Sequence, residues 1–316
     1  MKKGKRYKKV LITGGAGFIG SHLAELLLET GFEVRVLDNL SMGKLENLPE
    51  GVEFLEGNVL DLDTTRSALE GIDAVFHLAA KVSIRSSIDN FSDDAENNIM
   101  GTLHLLDCLR DSKVKKLIFA SSMAVYSDSP KPNPVAEAYQ IEPTSPYGIG
   151  KLTSEKYCLN LADALEIDTI CLRYFNTYGP RQTQTPYVGV ITIFINNLLA
   201  GKPPVIFGDG EQRMDFIWVG DIARASYLAL ASPVKKGVFN IGTGLDTSVN
   251  QIAELLIKKM DLDIKPVSEP LKPGELKYCI ADITQANKHL GFEPEGILDE
   301  KIEEVIAWNS QSRDDH

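Results

Sequence analysis

The stretch KKVLITGGAGFIGSHLAELLLETG constrains the fold more than any other part of this chain. KKVLITG reads as a β-strand, and FIGSHLAELLLETG reads as a helix closed by Gly31. Between them Gly14, Gly17 and Gly20 stand in a GxxGxxG spacing. A strand that turns through glycines directly into a helix opens a βαβ unit. The bare backbone there can turn tightly and approach a pyrophosphate held at the positive end of the helix. Alone a glycine triplet is a weak signal; the strand before it and the helix after it make it specific.

The rest of the first half continues the alternation. EVRVLD, VEFLEG and DAVFHLAA read as further strands, and DDAENNIMGTLHLLDCLRD as a long helix. KKLIFASS is a fifth strand. A helix follows from Ser145-Pro146, where serine can cap and proline can occupy the first turn. DTICLRYF is a sixth strand. Such a succession implies an α/β fold, a doubly wound parallel sheet with helices on both faces. Beyond about residue 175 strands shorten and Gly and Pro become frequent (YGPRQTQTP, PPVIFGDG, DFIWV, GVFNIG), although GVITIFINNLLAGKP and VNQIAELLIKKM look helical. The expectation is a dinucleotide-binding domain over residues 1–175. Residues 176–316 would form mainly a smaller mixed α/β lobe, interleaved with the first domain and binding substrate.

Composition narrows the class. The chain has 316 residues, enough for a full core, and a formal charge of −11, which argues against a nucleic-acid binder. The basic start MKKGKRYKK is followed by the glycine-broken LITGGAGFIG, not by the apolar stretch of a signal peptide. No run approaches the ~18 apolar residues of a membrane span. Cys108, Cys158, Cys171 and Cys279 are scattered without CxxC or Cys/His spacing, so no metal site or disulfide framework is expected and a reducing cytoplasm fits.

Asp38 closes the second strand, 18 residues past Gly20. A carboxylate there can accept hydrogen bonds from the adenosine ribose and would repel a 2′-phosphate, which favours NAD over NADP. Asp38-Asn39 is also ordinary turn chemistry. His77, at the end of the fourth strand, reads as a packed strand histidine rather than a catalyst. Tyr147 and Lys151 stand four apart on the helix that begins at Pro146, so both project from one face. An ammonium beside a phenol favours the phenolate, and the phenol's pKa is expected to fall toward neutrality, making Tyr147 a general base for an alcohol.

Read in order, TGGAGFIGSHL, LDNLSMGKLENL, GNVLDLD, FHLAAKVSIRSS, NNIMGTLHLL, ASSMAVY, SPYGIGK, LRYFNTYGPRQ, FGDGEQ, FNIGTG and LKPGELKY resemble the extended short-chain dehydrogenase/reductase family. Within it they are similar to nucleotide-sugar 4-epimerases of the UDP-galactose 4-epimerase type. The resemblance spans nearly the whole chain and implies a Rossmann sheet, bound NAD, a nucleotide-diphosphate sugar substrate and a homodimer paired through helices around 94–109 and 146–164. Tyr147 and Lys151 look like the family's YxxxK pair, with Ser122 as companion. Tyr147 would take the proton of the sugar's 4-hydroxyl while C4 gives hydride to NAD. Ser122 would bond the same oxygen, and Lys151 would hold the nicotinamide ribose. The 4-keto sugar would then turn over and be reduced on its opposite face. The resemblance also puts Gly14, Gly17, Phe18, Ile19, Gly20, Asp38, Asn39, Ser41, Gly43, Asn58, Val59, Leu78, Ala79, Ala80, Lys81, Asn98 and Phe175 against NAD. Asn176, Val190 and Phe207 would touch the nucleotide sugar.

Met123 and Ala124 stand where nucleotide-sugar 4,6-dehydratases carry Asp-Glu, and neither can transfer a proton. Two positions depart from the epimerase pattern. Met214 occupies the place of a diphosphate-binding arginine, with Arg213 one residue early and, on a strand, facing the other way. Lys277 matches a second such arginine and keeps the charge without the bidentate fork. Cys279 matches a position beside the hexose, where a small residue would leave room for an N-acetyl group; a core cysteine is the plain alternative. The implied substrates are UDP-glucose and UDP-galactose or their N-acetylhexosamine counterparts. The other readings are an epimerase for another UDP-sugar such as a uronate, a related reductase or dehydrogenase with net redox change, or a non-catalytic scaffold.

Overall fold

A computed structural model describes residues 7–182, 189–270 and 277–314. The basic N-terminal stretch of residues 1–6, the second half of the YGPRQTQTP loop and most of LKPGELKY lie outside the described residues. The first-half strands form where the sequence places them: β1 (Lys9–Thr13), β2 (Glu33–Asp38), β3 (Glu53–Glu56), β4 (Ala74–His77), β5 (Lys116–Ser122) and β6 (Asp168–Tyr174). The GVFNIG segment becomes β7 (Lys236–Ile241), which returns from the second half of the chain to pair in parallel with β6. The sheet order is β3-β2-β1-β4-β5-β6-β7, parallel throughout. That order reverses direction beside β1, and open α/β sheets bind ligands at the carboxyl ends of strands next to such a switch.

Helices α1 (Phe18–Glu29), α2 (Leu62–Leu69), α3 (Gly101–Leu109), α4 (Pro146–Leu165) and α5 (Val219–Ala231) cover the sheet. Side chains alternate along each strand, so each layer receives every second residue. Val10 and Ile12 join a core with Leu23 and Leu27 of α1 and Ile222 and Ala225 of α5. Leu11 faces the opposite core with Leu105 of α3 and Cys158 of α4. Burial on both faces explains why the strands read as continuous apolar runs rather than alternating ones.

The long helical pattern at 93–111 contains one irregularity. A π-helical turn at Glu96–Met100 separates Phe91–Ala95 from α3. The Asn98 carbonyl oxygen accepts from the hydroxyls of Thr102 and Ser154, each at 2.8 Å. Such widened turns cluster at functional sites, and this one lies against α4.

The remaining strands are short. Thr247–Ser248, Arg213–Met214, Tyr278–Ala281 and Pro134–Val135 form one small sheet; Asn176–Tyr178 pairs with Phe216–Trp218, and Val205–Phe207 with Val267–Glu269. A third core joins helices Val190–Leu199, Val249–Lys259 and Leu298–Asp314. A fourth, smaller cluster brings Tyr126 and Phe175 together with Cys279 and Ala281.

Candidate active site

The cofactor side is built from backbone first. Gly14 has φ +73°, in the left-handed region, and a Cβ there would lie 2.7 Å from the amide nitrogen of Ala79. A Cβ at Gly20 would lie 2.3 Å from the Gly14 carbonyl oxygen. Larger residues would separate α1 from β1. Gly17 caps α1 and no side chain bonds its first turn, so those N–H groups point where an anion can take them. Phe18 and Ile19 open the helix.

The other predicted cofactor residues stand at or just beyond the carboxyl ends of strands, except Asn98, which lies in the π-helical turn. The buried Asp38 carboxylate accepts from the amides of Ala16 (3.0 Å) and Leu40 (2.9 Å), so it also braces the glycine loop. Asn39 turns the chain by accepting from the Ser41 amide at 3.1 Å. Gly43 lies against the loop: a Cβ there would be 2.7 Å from the Ala16 carbonyl carbon. After β3, Asn58 accepts from the Leu60 amide at 3.0 Å and Val59 is buried. After β4, the Leu78 amide donates to the Thr13 carbonyl at 3.0 Å, and the Ala79 amide to its hydroxyl at 3.3 Å. Ala80 and Lys81 follow; Asn98 clasps the Lys81 backbone through both its amide N–H (2.8 Å) and its carbonyl (3.0 Å). Lys81 Nζ pairs with Asp93. Phe175, buried, follows β6. The uncapped helix start, the side-chain-free loop and the carboxylate ending β2 fit a dinucleotide.

Ser122 ends β5 and its Oγ accepts from the Ala124 amide at 3.1 Å. Ser145 caps α4 by accepting from the Gly148 amide at 3.1 Å, with Pro146 in the first turn as the sequence implies. A Cβ at Gly148 would lie 2.3 Å from the Ala124 carbonyl oxygen. The first turn of α4 therefore closes onto the end of β5, and the Ser122 hydroxyl reaches the Tyr147 phenol. Lys151 Nζ donates to the Ala120 carbonyl at 2.9 Å and lies 6.0 Å from the centre of the Tyr147 ring. The three predicted catalytic residues meet at one place.

Their acidities differ from the expectation. Burial pushes Tyr147 up to about 12, while the Ser122 hydrogen bond pulls it down and the charge of Asp94 adds to the rise. Burial pushes Lys151 down to about 8, opposed by Asp94. The expected fall in the phenol's pKa does not occur within the polypeptide. A buried phenolate loses its hydration, and the desolvated lysine donates its hydrogen bond to the Ala120 carbonyl rather than to the phenol. His77 is a packed histidine: Nδ1 meets Thr13 Oγ1 at 2.7 Å, Nε2 meets Thr102 Oγ1 at 3.1 Å, and burial holds it at about 3.

On the opposite side, Asn176 donates from Nδ2 to the Asp215 carbonyl (3.0 Å) and contacts Met123 Sδ (3.5 Å) beside Ser122. Cys279 pairs in register with Met214, and both join Met123 and Phe175 in the fourth cluster. Cys279 is only 2% exposed, a core position. Met214 turns inward, and Arg213 turns the other way to pair with Asp246, as strand alternation requires. The Arg213 amide donates to the Lys277 carbonyl at 2.9 Å, so the two cationic residues are strand neighbours. Val190 opens its helix beside the third core, and the Phe207 carbonyl accepts from Gln212 Nε2 at 2.7 Å.

A sequence model of the NAD dependent epimerase/dehydratase family matches residues 10–242. This chain belongs to that family. It is 37% identical over 300 residues to a putative UDP-glucose 4-epimerase of Methanocaldococcus jannaschii, covering 95% of this chain and 97% of that one. Among solved structures, the UDP-glucose 4-epimerase of Thermotoga maritima with UDP-glucose superposes with a TM-score of 0.92 at 39% identity, covering 96% of this chain and 99% of the other. A UDP-N-acetylglucosamine 4-epimerase from Methanobrevibacter ruminantium, in complex with UDP-N-acetylmuramic acid, also gives 0.92, at 36% identity over 98% and 100% of the two chains. The protein is an NAD-dependent epimerase.

Sequence reasoning missed several polar residues that this epimerase buries around its site. Asp94 is 3% exposed and its Oδ1 accepts from Asn98 Nδ2 at 3.0 Å. Glu155 and Arg173 form an ion pair at 0% and 2% side-chain exposure. The available signals were an arginine inside the apolar strand CLRYF and a glutamate two turns beyond Tyr147 on the same helical stripe.

Proposed function

We propose that this enzyme inverts C4 of a UDP-hexose, interconverting UDP-glucose and UDP-galactose through a 4-keto sugar. One observation carries this reading: the Ser122 hydroxyl meets the Tyr147 phenol beside the buried Lys151, at the carboxyl edge of the sheet that carries the glycine loop. NAD, when bound, supplies the reversible two-electron acceptor for C4. The glycine loop and Asp38 hold its phosphate and ribose ends. Tyr147 accepts the proton of the 4-hydroxyl and returns it; Ser122 bonds the same oxygen and keeps the phenol aimed. Below a pH of about 8 Lys151 carries the charge that favours the phenolate. The 4-hydroxyl proton is all that moves through side chains, because Met123 and Ala124 offer no second acid or base for eliminating water.

The neighbouring Arg213 and Lys277 are the cations we assign to the substrate diphosphate, with Arg213 leaving Asp246 to reach it. Asn176, Val190 and Phe207 complete the nucleotide-sugar side. The N-acetylhexosamine pair is a second reading, supported by the likeness to a UDP-N-acetylglucosamine 4-epimerase. We divide the work as cofactor binding by residues 1–175 and substrate binding mainly by 176–316. Four free buried cysteines suit a reducing cytoplasm, and among the described residues no helix is long and apolar enough to cross a membrane.

A second copy of this chain is the partner we assign to the outer face of α3, α4 and the helix before them. Phe91, Met100, Ile149 and Tyr157 expose 64%, 43%, 50% and 43% of their surfaces there.

The test is to incubate the purified protein with UDP-glucose and no added NAD. UDP-galactose should form, and Tyr147→Phe should slow it by about 10²–10⁴-fold, the usual contribution of a positioned acid–base. An oxidised sugar released with stoichiometric reduction of added NAD, and no UDP-galactose, would establish a dehydrogenase instead.

A further inference from the structure

Tyr147, Lys151 and Glu155 follow one another at intervals of four along α4, a single buried stripe turned to the sheet. The first two have roles in the proposed chemistry; the third has none. Glu155 Oε1 accepts from Arg173 Nη2 at 2.6 Å. Its Oε2 accepts from Arg173 Nε at 3.0 Å and from Ser121 Oγ at 2.7 Å. Ser121 and Arg173 are register partners across β5 and β6, so the carboxylate of a helix sits astride two adjacent strands. The far side of the guanidinium is engaged as well. Arg173 Nη1 donates to Tyr126 Oη at 2.8 Å and to the Glu137 carbonyl at 3.1 Å, and Tyr126 Oη donates to Asn240 Oδ1 of β7 at 2.6 Å.

Stability alone does not account for such a pair, because apolar residues of similar volume generally hold a core as well as a buried ion pair does. A bidentate fork does what leucine and methionine cannot: it permits one translation and one rotation of the helix against the strands. Its neighbours in sequence are the residues of the site. Ser122 follows Ser121, Lys151 lies one turn before Glu155, and Phe175 and Asn176 come just after Arg173.

We propose that Glu155 and Arg173 are positioning residues for the epimerisation: their buried pair, bonded to Ser121 and Tyr126, sets α4 against the end of β5 so that Tyr147 and Lys151 stand in register with Ser122. The proposal rests on the reading of Ser122, Tyr147 and Lys151 as the reacting set.

The experiment uses the full chain with its co-purified NAD and UDP-glucose as substrate. In the double variant Glu155→Leu/Arg173→Met both charges go together, which avoids stranding one of them in the core. It should fold, retain NAD and bind substrate with KM within about threefold, yet lose about 30- to 300-fold in kcat, the scale expected when reacting groups are misplaced by about an ångström. Ser121→Ala and Tyr126→Phe, each loosening one tie, should lose about 2- to 10-fold in kcat at unchanged KM and melting temperature. A folded double variant with kcat within threefold of the parent overturns the proposal. If the double variant does not fold, the two single variants decide: wild-type kcat in both overturns it, and a loss confined to kcat supports it. Tyr147→Phe is run alongside. Should that variant keep its turnover, the catalytic reading itself fails and takes the proposal with it, whatever the other variants show.

Discussion

Lys151 illustrates how a residue's burial can redirect an argument made from its neighbours. Four positions from a tyrosine, it suggests an ammonium that acidifies a phenol. Buried, it is itself pushed down to about 8, and the phenol is pushed up to about 12. The sign for catalysis follows directly. As pH rises through about 8 the lysine loses its proton and with it the charge that assists Tyr147. In the wild-type enzyme kcat/KM should therefore fall above pH 8. Lys151→Arg, whose guanidinium stays charged, should run about 10- to 100-fold slower because its bulk misfits the lysine's place, yet show no alkaline limb up to pH 9.5. A pH–rate series on both proteins checks this; an alkaline limb that persists in the arginine variant assigns it to another group.

Among the elements, α4 carries the proposed reacting pair Tyr147 and Lys151, and its approach to β5 depends on a missing side chain. Gly148 brings the helix backbone so near the Ala124 carbonyl that a methyl group would lie 2.3 Å from the oxygen. Gly148→Ala must move the first turn outward, at a cost of about 1–3 kcal/mol in stability from overpacking. Because Tyr147 is the preceding residue, kcat should fall on the order of 10²-fold while NAD stays bound. Single-turnover kinetics together with the nucleotide released on denaturation measure both quantities. The π-helical turn at Glu96–Met100 illustrates a related limit of sequence reading. The run DDAENNIMGTLHLLDCLRD reads as one continuous helix, because a single widened turn barely disturbs apolar periodicity. Contacts with Ser154 and Thr102 settle where the extra residue is taken up.

At the scale of the whole molecule, the sheet recruits β7 and α5 from the second half of the chain. The seven-stranded sheet is thus completed by residues that follow the short strands Asn176–Tyr178 and Arg213–Met214. The apolar outer face of α4 and its neighbour is the assembly surface proposed above. Ile149→Glu combined with Tyr157→Glu should convert a dimer to a monomer in sedimentation at micromolar concentration, since charges placed opposite their own copies repel and desolvate. A wild-type protein that sediments as a monomer would remove that proposal.

The sequence by itself determined the elements that local periodicity encodes: six parallel strands in alternation with helices, the glycine turn after β1, the carboxylate ending β2, the Ser145 cap. It also placed Ser122, Tyr147 and Lys151 together, because an ordered set of motifs resembles one family along nearly the whole chain. Tertiary structure alone decided the rest. The return of β7 is a pairing across more than sixty residues, from Asp168–Tyr174 to Lys236–Ile241, and no local pattern contains it. The Glu155–Arg173 pair and the acidities of Tyr147 and Lys151 depend on how much water is excluded. Exclusion of water is a sum over packed neighbours distant in the chain, so it exists only once the fold does.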